Sequence, residues 1–274
     1  MAQFLREEEV VSADLIAIQE PWENPYQDST HHPLKQTHEL LYPAESETGG
    51  RARVCLFISK RLGEHTHLVH SRDCQEVRIK SERSELRIIN VYNDQQHGAA
   101  LRLLQETLPP TREQKGVSYL ILGDFNLHHP AWGGDDAPRD ARAEDLLDLM
   151  ESVGLDNWLA PGSVTRDQAG SQSTIDLALA SYMLREQLIS CGVDHSVHAD
   201  SDHLPILTLL EVNVPETAEA VKRRNWKAMD VEKFLTFVSS NLCMIRLPDR
   251  PNDIDNAVDH LLDIVQQAAQ ASTP

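Results

Sequence analysis

Short apolar runs that end or open on a polar side chain constrain this chain more than any other feature. Residues 14–19 (DLIAIQ) run into Glu20, and 85–92 (ELRIINVY) close on Tyr92. Residues 118–122 (SYLIL) lead straight into Gly123-Asp124-Phe125-Asn126. Further on, Asp176 lies inside 174–180 (TIDLALA), and Ser201-Asp202-His203 opens the run at 204–212. Brief apolar runs of this kind are the mark of buried strands, where an unpaired charge is costly. Each polar group therefore needs a partner or a purpose.

The rest of the chain fits strands interleaved with helices. More strands are expected at 52–59 (ARVCLFIS), 75–80 and 188–193. Helical spacing runs over 97–108 and stops at Pro109-Pro110; a second amphipathic stretch, 142–153 (RAEDLLDLMESV), ends at Gly154. Such alternation predicts a layered α/β domain over 1–214. Residues 21–50, rich in Pro, His, Ser, Thr and Gly, read as one long loop. Beyond Val214-Pro215 two helical patterns, 230–243 and 253–270, predict a helical tail over 215–274. No internal repeat is visible.

Composition matters here for what it excludes. No apolar run approaches the roughly 20 residues that span a bilayer, and the acidic start MAQFLREEEVV lacks the basic, then apolar, order of a signal peptide. An intracellular protein with no membrane partner is expected. Cys55, Cys74, Cys191 and Cys243 are scattered without a C-x-x-C pair, which fits reduced thiols. The net charge of −18 argues against tight, non-specific binding to nucleic acid. Between Arg51 and Arg87, however, nine basic residues face five acidic ones.

In Gly123-Asp124-Phe125-Asn126 a carboxylate and an amide lie two residues apart at the end of a strand. There Asp124 can align or deprotonate a water, and Asn126 can donate to a phosphate oxygen. Alone, G-D-x-N is more often an Asx turn. Glu20, at the end of its own strand, adds an oxygen ligand for a hard cation such as Mg²⁺. Taken in order, Gln19-Glu20, Tyr92, Gly-Asp-x-Asn, Ile175-Asp176 and Ser201-Asp202-His203 form a constellation.

That order resembles the endonuclease/exonuclease/phosphatase superfamily over roughly residues 12–212. The resemblance implies a DNase-I-like two-sheet α/β sandwich that cleaves phosphodiesters with Mg²⁺, or with Mn²⁺ in its place. By it Glu20 is the principal metal ligand and Asp202 lies at or near the metal. Tyr92 contacts the scissile phosphate, while Asp124 and Asn126 position the attacking water and stabilise the transition state. His203, oriented by Asp176, is the acid/base or phosphate-stabilising imidazole. Within the superfamily, AIQEPW, LHHPAWGG after GDFN, and STIDLALAS look like the endonuclease domain of non-LTR (LINE-type) retrotransposons. RRNWKAMDVEKF resembles the linker to the reverse transcriptase of such proteins. The implied partners are a DNA substrate and a reverse transcriptase domain; the implied form is a monomer acting in the nucleus.

Three departures stand out. Family members begin with a further strand that ends in an Asn near the catalytic site, whereas here a helix-like segment follows Met1 directly, so an N-terminally truncated domain is expected. The segment NVYND lacks the Pro often found after this Tyr. His128-His129 suggests a zinc site, but no clustered third or fourth ligand accompanies it. The alternatives are a catalytically inactive retroelement remnant and another phosphoesterase of the same superfamily.

Overall fold

Side chains of a strand alternate between two faces, so each apolar run commits one set of residues to each side of its sheet. The computed structural model describes residues 3–21, 32–80, 84–197, 201–212, 229–242 and 252–273. The chain divides into two units, Met1–Trp22 with Pro33–Thr217 and Glu23–His32 with Ala218–Pro274. In the first unit the strands are β1 (Leu15–Gln19), β2 (His38–Leu41), β3 (Val54–Ser59), β4 (His65–Ser71), β5 (Cys74–Lys80), β6 (Glu85–Tyr92) and β7 (Val117–Asp124). They continue as β8 (Leu155–Asn157), β9 (Arg166–Gln168), β10 (Ser171–Ser173), β11 (Asp176–Ser181), β12 (Leu188–Val193) and β13 (Ile206–Leu210). Its helices are α1 (Glu8–Ser12), α2 (Glu45–Thr48), α3 (Ala99–Thr107), α4 (Pro130–Gly133) and α5 (Ala143–Val153).

Six strands form the main sheet in the order β4-β5-β6-β7-β11-β8, with β6 and β7 parallel and the other pairs antiparallel. A three-stranded antiparallel sheet, β1-β3-β2, and the hairpin β12-β13 complete the main elements. Along β7, Tyr119 and Ile121 turn to one side, where Leu101 and Leu104 of α3 and Leu146, Leu149 and Val153 of α5 cover them. The spacing of these leucines is the amphipathic stripe read in the sequence. Leu120 turns to the other side and meets Leu56 and Ile58 of β3, packed with Val77, Ile79 and Ile88. Ile16, Cys55 and Phe57 face outward from the small sheet and are covered by Leu5 and Val10. The result is a two-sheet α/β sandwich with helices on its outer faces.

The expected long loop at 21–50 is corrected in part: β2 and α2 lie inside it. His38, whose ring Nε2 lies 2.8 Å from the Ala13 carbonyl, is buried, and Leu41 joins the seam between the sheets. Two polar residues per four gave no strand signal. β4 (HTHLVHS) was likewise not expected, because three histidines mask its alternation.

In the second unit, α6 (Val231–Leu242) and α7 (Asn252–Ser272) pack together as a helical pair, and the Asp230 N–H donates to the Ser272 carbonyl at 2.8 Å. No helix among the described residues is long and apolar enough to cross a membrane. Cys55, Cys74 and Cys191 are free thiols, and burial pushes the first two up to about 12. Cys243 lies outside the described residues.

Candidate active site

Strand register brings the scattered motif residues into one row. In the parallel pair β6/β7, Tyr92 lies opposite Asp124; in the antiparallel pair β7/β11, Asp176 lies opposite Asp124. Neighbouring strands run about 4.8 Å apart, and laterally paired residues share a face. Tyr92, Asp124 and Asp176 therefore stand side by side on the inter-sheet face, at the end of the seam.

Gly123 makes the close approach behind this row possible. Its φ is +154°, and a Cβ there would lie 1.9 Å from the Val91 carbonyl oxygen. No other residue fits without moving the backbone of β6. Just beyond, Asn126 holds a left-handed φ of +51°, which Asn tolerates better than most residues. Its backbone N–H donates to Asp124 Oδ1 at 2.8 Å, and its side-chain Nδ2 donates to Asp124 Oδ2 at 3.0 Å and the Asn93 carbonyl at 3.2 Å. Gln95 Nε2 donates to Asn126 Oδ1 at 2.9 Å. Both amide hydrogens of Asn126 are thus engaged, and contact with a phosphate requires exchanging one of them. Burial first, then the charge of Asp176, pushes the Asp124 carboxyl up to about 7, with His203 pulling the other way.

His203 completes the row from a different segment. Its ring Nδ1 lies 3.0 Å from each carboxylate oxygen of Asp176. A carboxylate only accepts, so Nδ1 carries the hydrogen and Nε2 is left as the free end of the ring. Burial works against the charged imidazole, but the hydrogen bond and charge of Asp176, then the charges of Asp124 and Asp202, outweigh it and raise its pKa. The buried Thr165 braces this pair: its Oγ1 accepts from the N–H groups of Ile175 and Asp176, both at 3.1 Å, and its carbonyl takes the Leu204 N–H at 2.7 Å.

Glu20, at the end of β1, is exposed and holds a left-handed φ of +46°. Its backbone N–H donates to the Arg53 carbonyl at 2.7 Å, and its side chain bonds the Tyr92 hydroxyl. Burial, then that bond to Glu20, raises the Tyr92 pKa, so the phenol remains a hydrogen donor at neutral pH. Below them Asn90 closes the seam. Its Nδ2 donates to the carbonyls of Ile18 (3.1 Å) and Cys55 (2.8 Å), and its Oδ1 accepts from Gln19 Nε2 at 2.6 Å.

Ligand atoms of Asp124, Asp176 and His203 all lie within 4.8 Å of one another, the one such group of three among the described residues. Asp202 does not join it: its carboxylate pairs with Arg166 Nε at 3.0 Å. The His128-His129 pair gathers no third ligand among the described residues. His128 Nδ1 lies 3.1 Å from Asp140 Oδ2, and His129 Nδ1 accepts from the Ala131 N–H at the start of α4. Sequence reasoning missed Asn90, Thr165 and Arg53. Asn90 was findable, as a polar residue inside the apolar run ELRIINVY; Arg53 and Thr165 carry no such signal.

Comparison with known proteins places this fold. The family described as "Endonuclease-reverse transcriptase" matches residues 86–207, the stretch from β6 to the start of β13. The endonuclease domain of TRAS1, a telomere-specific non-LTR retrotransposon, superposes with a TM-score of 0.57 at 16% identity, covering 77% of this chain and 92% of that domain. The chain resembles the endonuclease domain of non-LTR retrotransposons. An AP endonuclease from Leishmania major has the same fold, with a TM-score of 0.55 at 12% identity over 77% of this chain and 84% of that one. The fold is thus the DNase-I-like sandwich.

Two Drosophila proteins are similar in sequence. One is named "Probable RNA-directed DNA polymerase from transposon BS", from Drosophila melanogaster, and is 29% identical over 161 residues. The other is the RNA-directed DNA polymerase from mobile element jockey of Drosophila funebris, 28% identical over 166 residues. Each alignment takes in 58% of this chain but 17% of the curated relative, so this chain spans only a small part of the length of those proteins.

Proposed function

We propose that the chain hydrolyses DNA phosphodiester bonds with Mg²⁺, or Mn²⁺ in its place, as the nicking domain of a retrotransposon protein. The observation that supports this reading best is the lateral row Tyr92–Asp124–Asp176 with His203 bonded to Asp176. A hydrolytic centre needs a water-activating carboxylate, a fixed imidazole and a hydrogen donor for the phosphate, all at one end of a rigid sheet. Glu20 and Asp202 are both carboxylates, the oxygen donors that a hard divalent cation takes.

Glu20 would hold the cation, and Asp202 would join it by giving up Arg166. When bound there, a cation would supply positive charge beside the phosphate oxygens. Tyr92 turns its hydroxyl hydrogen from Glu20 to a phosphate oxygen. Asp124 accepts the proton of the attacking water, and Asn126 fixes the carboxylate that receives it. In its charged form, which the hydrogen bond and charge of Asp176 favour, His203 presents Nε2–H to the phosphate or the leaving oxygen. The chain's similarity to two RNA-directed DNA polymerases supports a partnership with a reverse transcriptase that uses the nicked end.

Incubation with supercoiled plasmid, with Mg²⁺ and with EDTA, tests this. Conversion to open circles only with the cation, and its loss in Asp124→Asn, is the expected result. A folded chain that leaves the plasmid intact at every Mg²⁺ and Mn²⁺ concentration would identify an inactive relative instead.

A further inference from the structure

Arg53 stands where four segments meet. It lies just before β3, and its backbone carbonyl receives the Glu20 N–H. Its guanidinium lies over the Tyr92 ring, 4.7 Å from the centroid. Nε and Nη2 donate to the two oxygens of Asp73 at 2.5 and 2.7 Å, and Nη1 donates to Asp94 Oδ2 at 2.7 Å. The partners lead back to the site. Asp73 is buried, and its carbonyl takes the Tyr92 N–H at 2.9 Å. Asp94 opens the turn from which Gln95 reaches Asn126.

Two carboxylates already meet the single charge of this guanidinium, so it is poorly suited to recruit a phosphate. Its geometry serves another end. The planar fork matches Asp73 with two parallel bonds and at the same time offers its flat face to the Tyr92 ring, a combination that lysine's point charge lacks. Glu20 meanwhile holds a backbone conformation that non-glycine residues rarely keep unless their surroundings impose it. The N–H bond to Arg53 is one such constraint.

We propose that Arg53 is a positioning residue that fixes Glu20 and Tyr92 as one unit, so that the cation ligand and the phosphate donor are set by a single side chain and its carbonyl. The proposal rests on the nuclease reading above. It differs from a purely structural role, because Arg53 then acts through Tyr92 in particular.

A double-mutant cycle on the full chain separates the two. Arg53→Lys should lower kcat for plasmid nicking by between about tenfold and a hundredfold with KM for DNA little changed, as misplacement of reacting groups does. In a Tyr92→Phe background the same change should cost at most about threefold, the signature of coupled residues. Equal losses in both backgrounds, or a loss confined to KM, would overturn the proposal. A readout free of activity comes from tyrosine labelled with ¹³C at Cζ. The resonance absent from Tyr92→Phe should move in Arg53→Lys, and an unmoved resonance in a folded variant counts against the proposal. If wild-type protein nicks nothing, the nuclease reading falls, and the Tyr92 resonance alone judges Arg53. Should Arg53→Lys fail to fold, Asp94→Asn loosens the guanidinium from one side, and the same shift of the Tyr92 resonance is expected.

Discussion

Replacing Asp124 by Asn should make the cation-free protein more stable while disabling it. In the folded chain the Asp124 carboxyl is held near 7 by burial and by Asp176, against its ordinary 3.8. Between those values the unfolded chain is ionised and the folded chain keeps its proton, so the folded state binds more protons. Stability therefore falls as pH rises from about 4 to about 7. At about 1.4 kcal/mol per pKa unit, the buried charge costs on the order of 4 kcal/mol at pH 8. The amide has the same shape but confronts the Asn126 amide with a second donor, a loss of about 1–2 kcal/mol. A net gain of about 2–3 kcal/mol remains at pH 8, or roughly 5–10 °C in Tm for a unit of this size. Calorimetry in EDTA from pH 4 to pH 8 measures it, and the gain should shrink steadily toward pH 4. Mg²⁺ should also narrow the gap, because a ligand that binds the wild-type site stabilises it by mass action. Nicking should drop at least about a hundredfold. If the stability difference between the two proteins were the same at pH 4 and pH 8, the buried-charge reasoning would be refuted.

Glu20→Gln should raise the Mg²⁺ midpoint for nicking with little change in Tm, since the side chain is exposed and one charged oxygen is lost; an unchanged midpoint removes Glu20 from the metal. Gly123→Ala should destabilise by roughly 3 kcal/mol or more, read by urea unfolding, because the added methyl meets the Val91 carbonyl rather than a flexible side chain. Thr165→Val keeps the volume but strips the acceptor from two buried N–H groups. It should cost about 1–3 kcal/mol and loosen Asp176, lowering the His203 pKa as followed by histidine NMR.

The parts of this molecule that were legible in the sequence are those where one residue type has one physical reason. ELRIINVY, SYLIL and TIDLALA can only be buried strands, and the leucines of 142–153 fall on one helical face. GDFN marked the end of β7 because Gly, Asp and Asn each suit a turn. What the sequence left unreadable depends on register. That Tyr92, Asp124 and Asp176 stand abreast follows from how β6, β7 and β11 pair, which no single run encodes. Arg53 was invisible for the same reason, since its partners Asp73 and Asp94 lie 20 and 41 residues away. Residues 38–41 escaped because half of that strand is polar, and Asp202 drew attention by its motif while its carboxylate is spent on Arg166.

The lateral row also sets when the proposed centre can form during synthesis. Its members come from three separate stretches of chain, and the imidazole that completes it comes from a fourth. β6 and β7 are parallel, so they pair only after the crossover through α3 has folded back, a slow, non-local step. A nascent chain therefore carries no assembled centre until His203 has been made and β11 has closed against β7. A half-synthesised copy has the residues of the proposed centre without their arrangement.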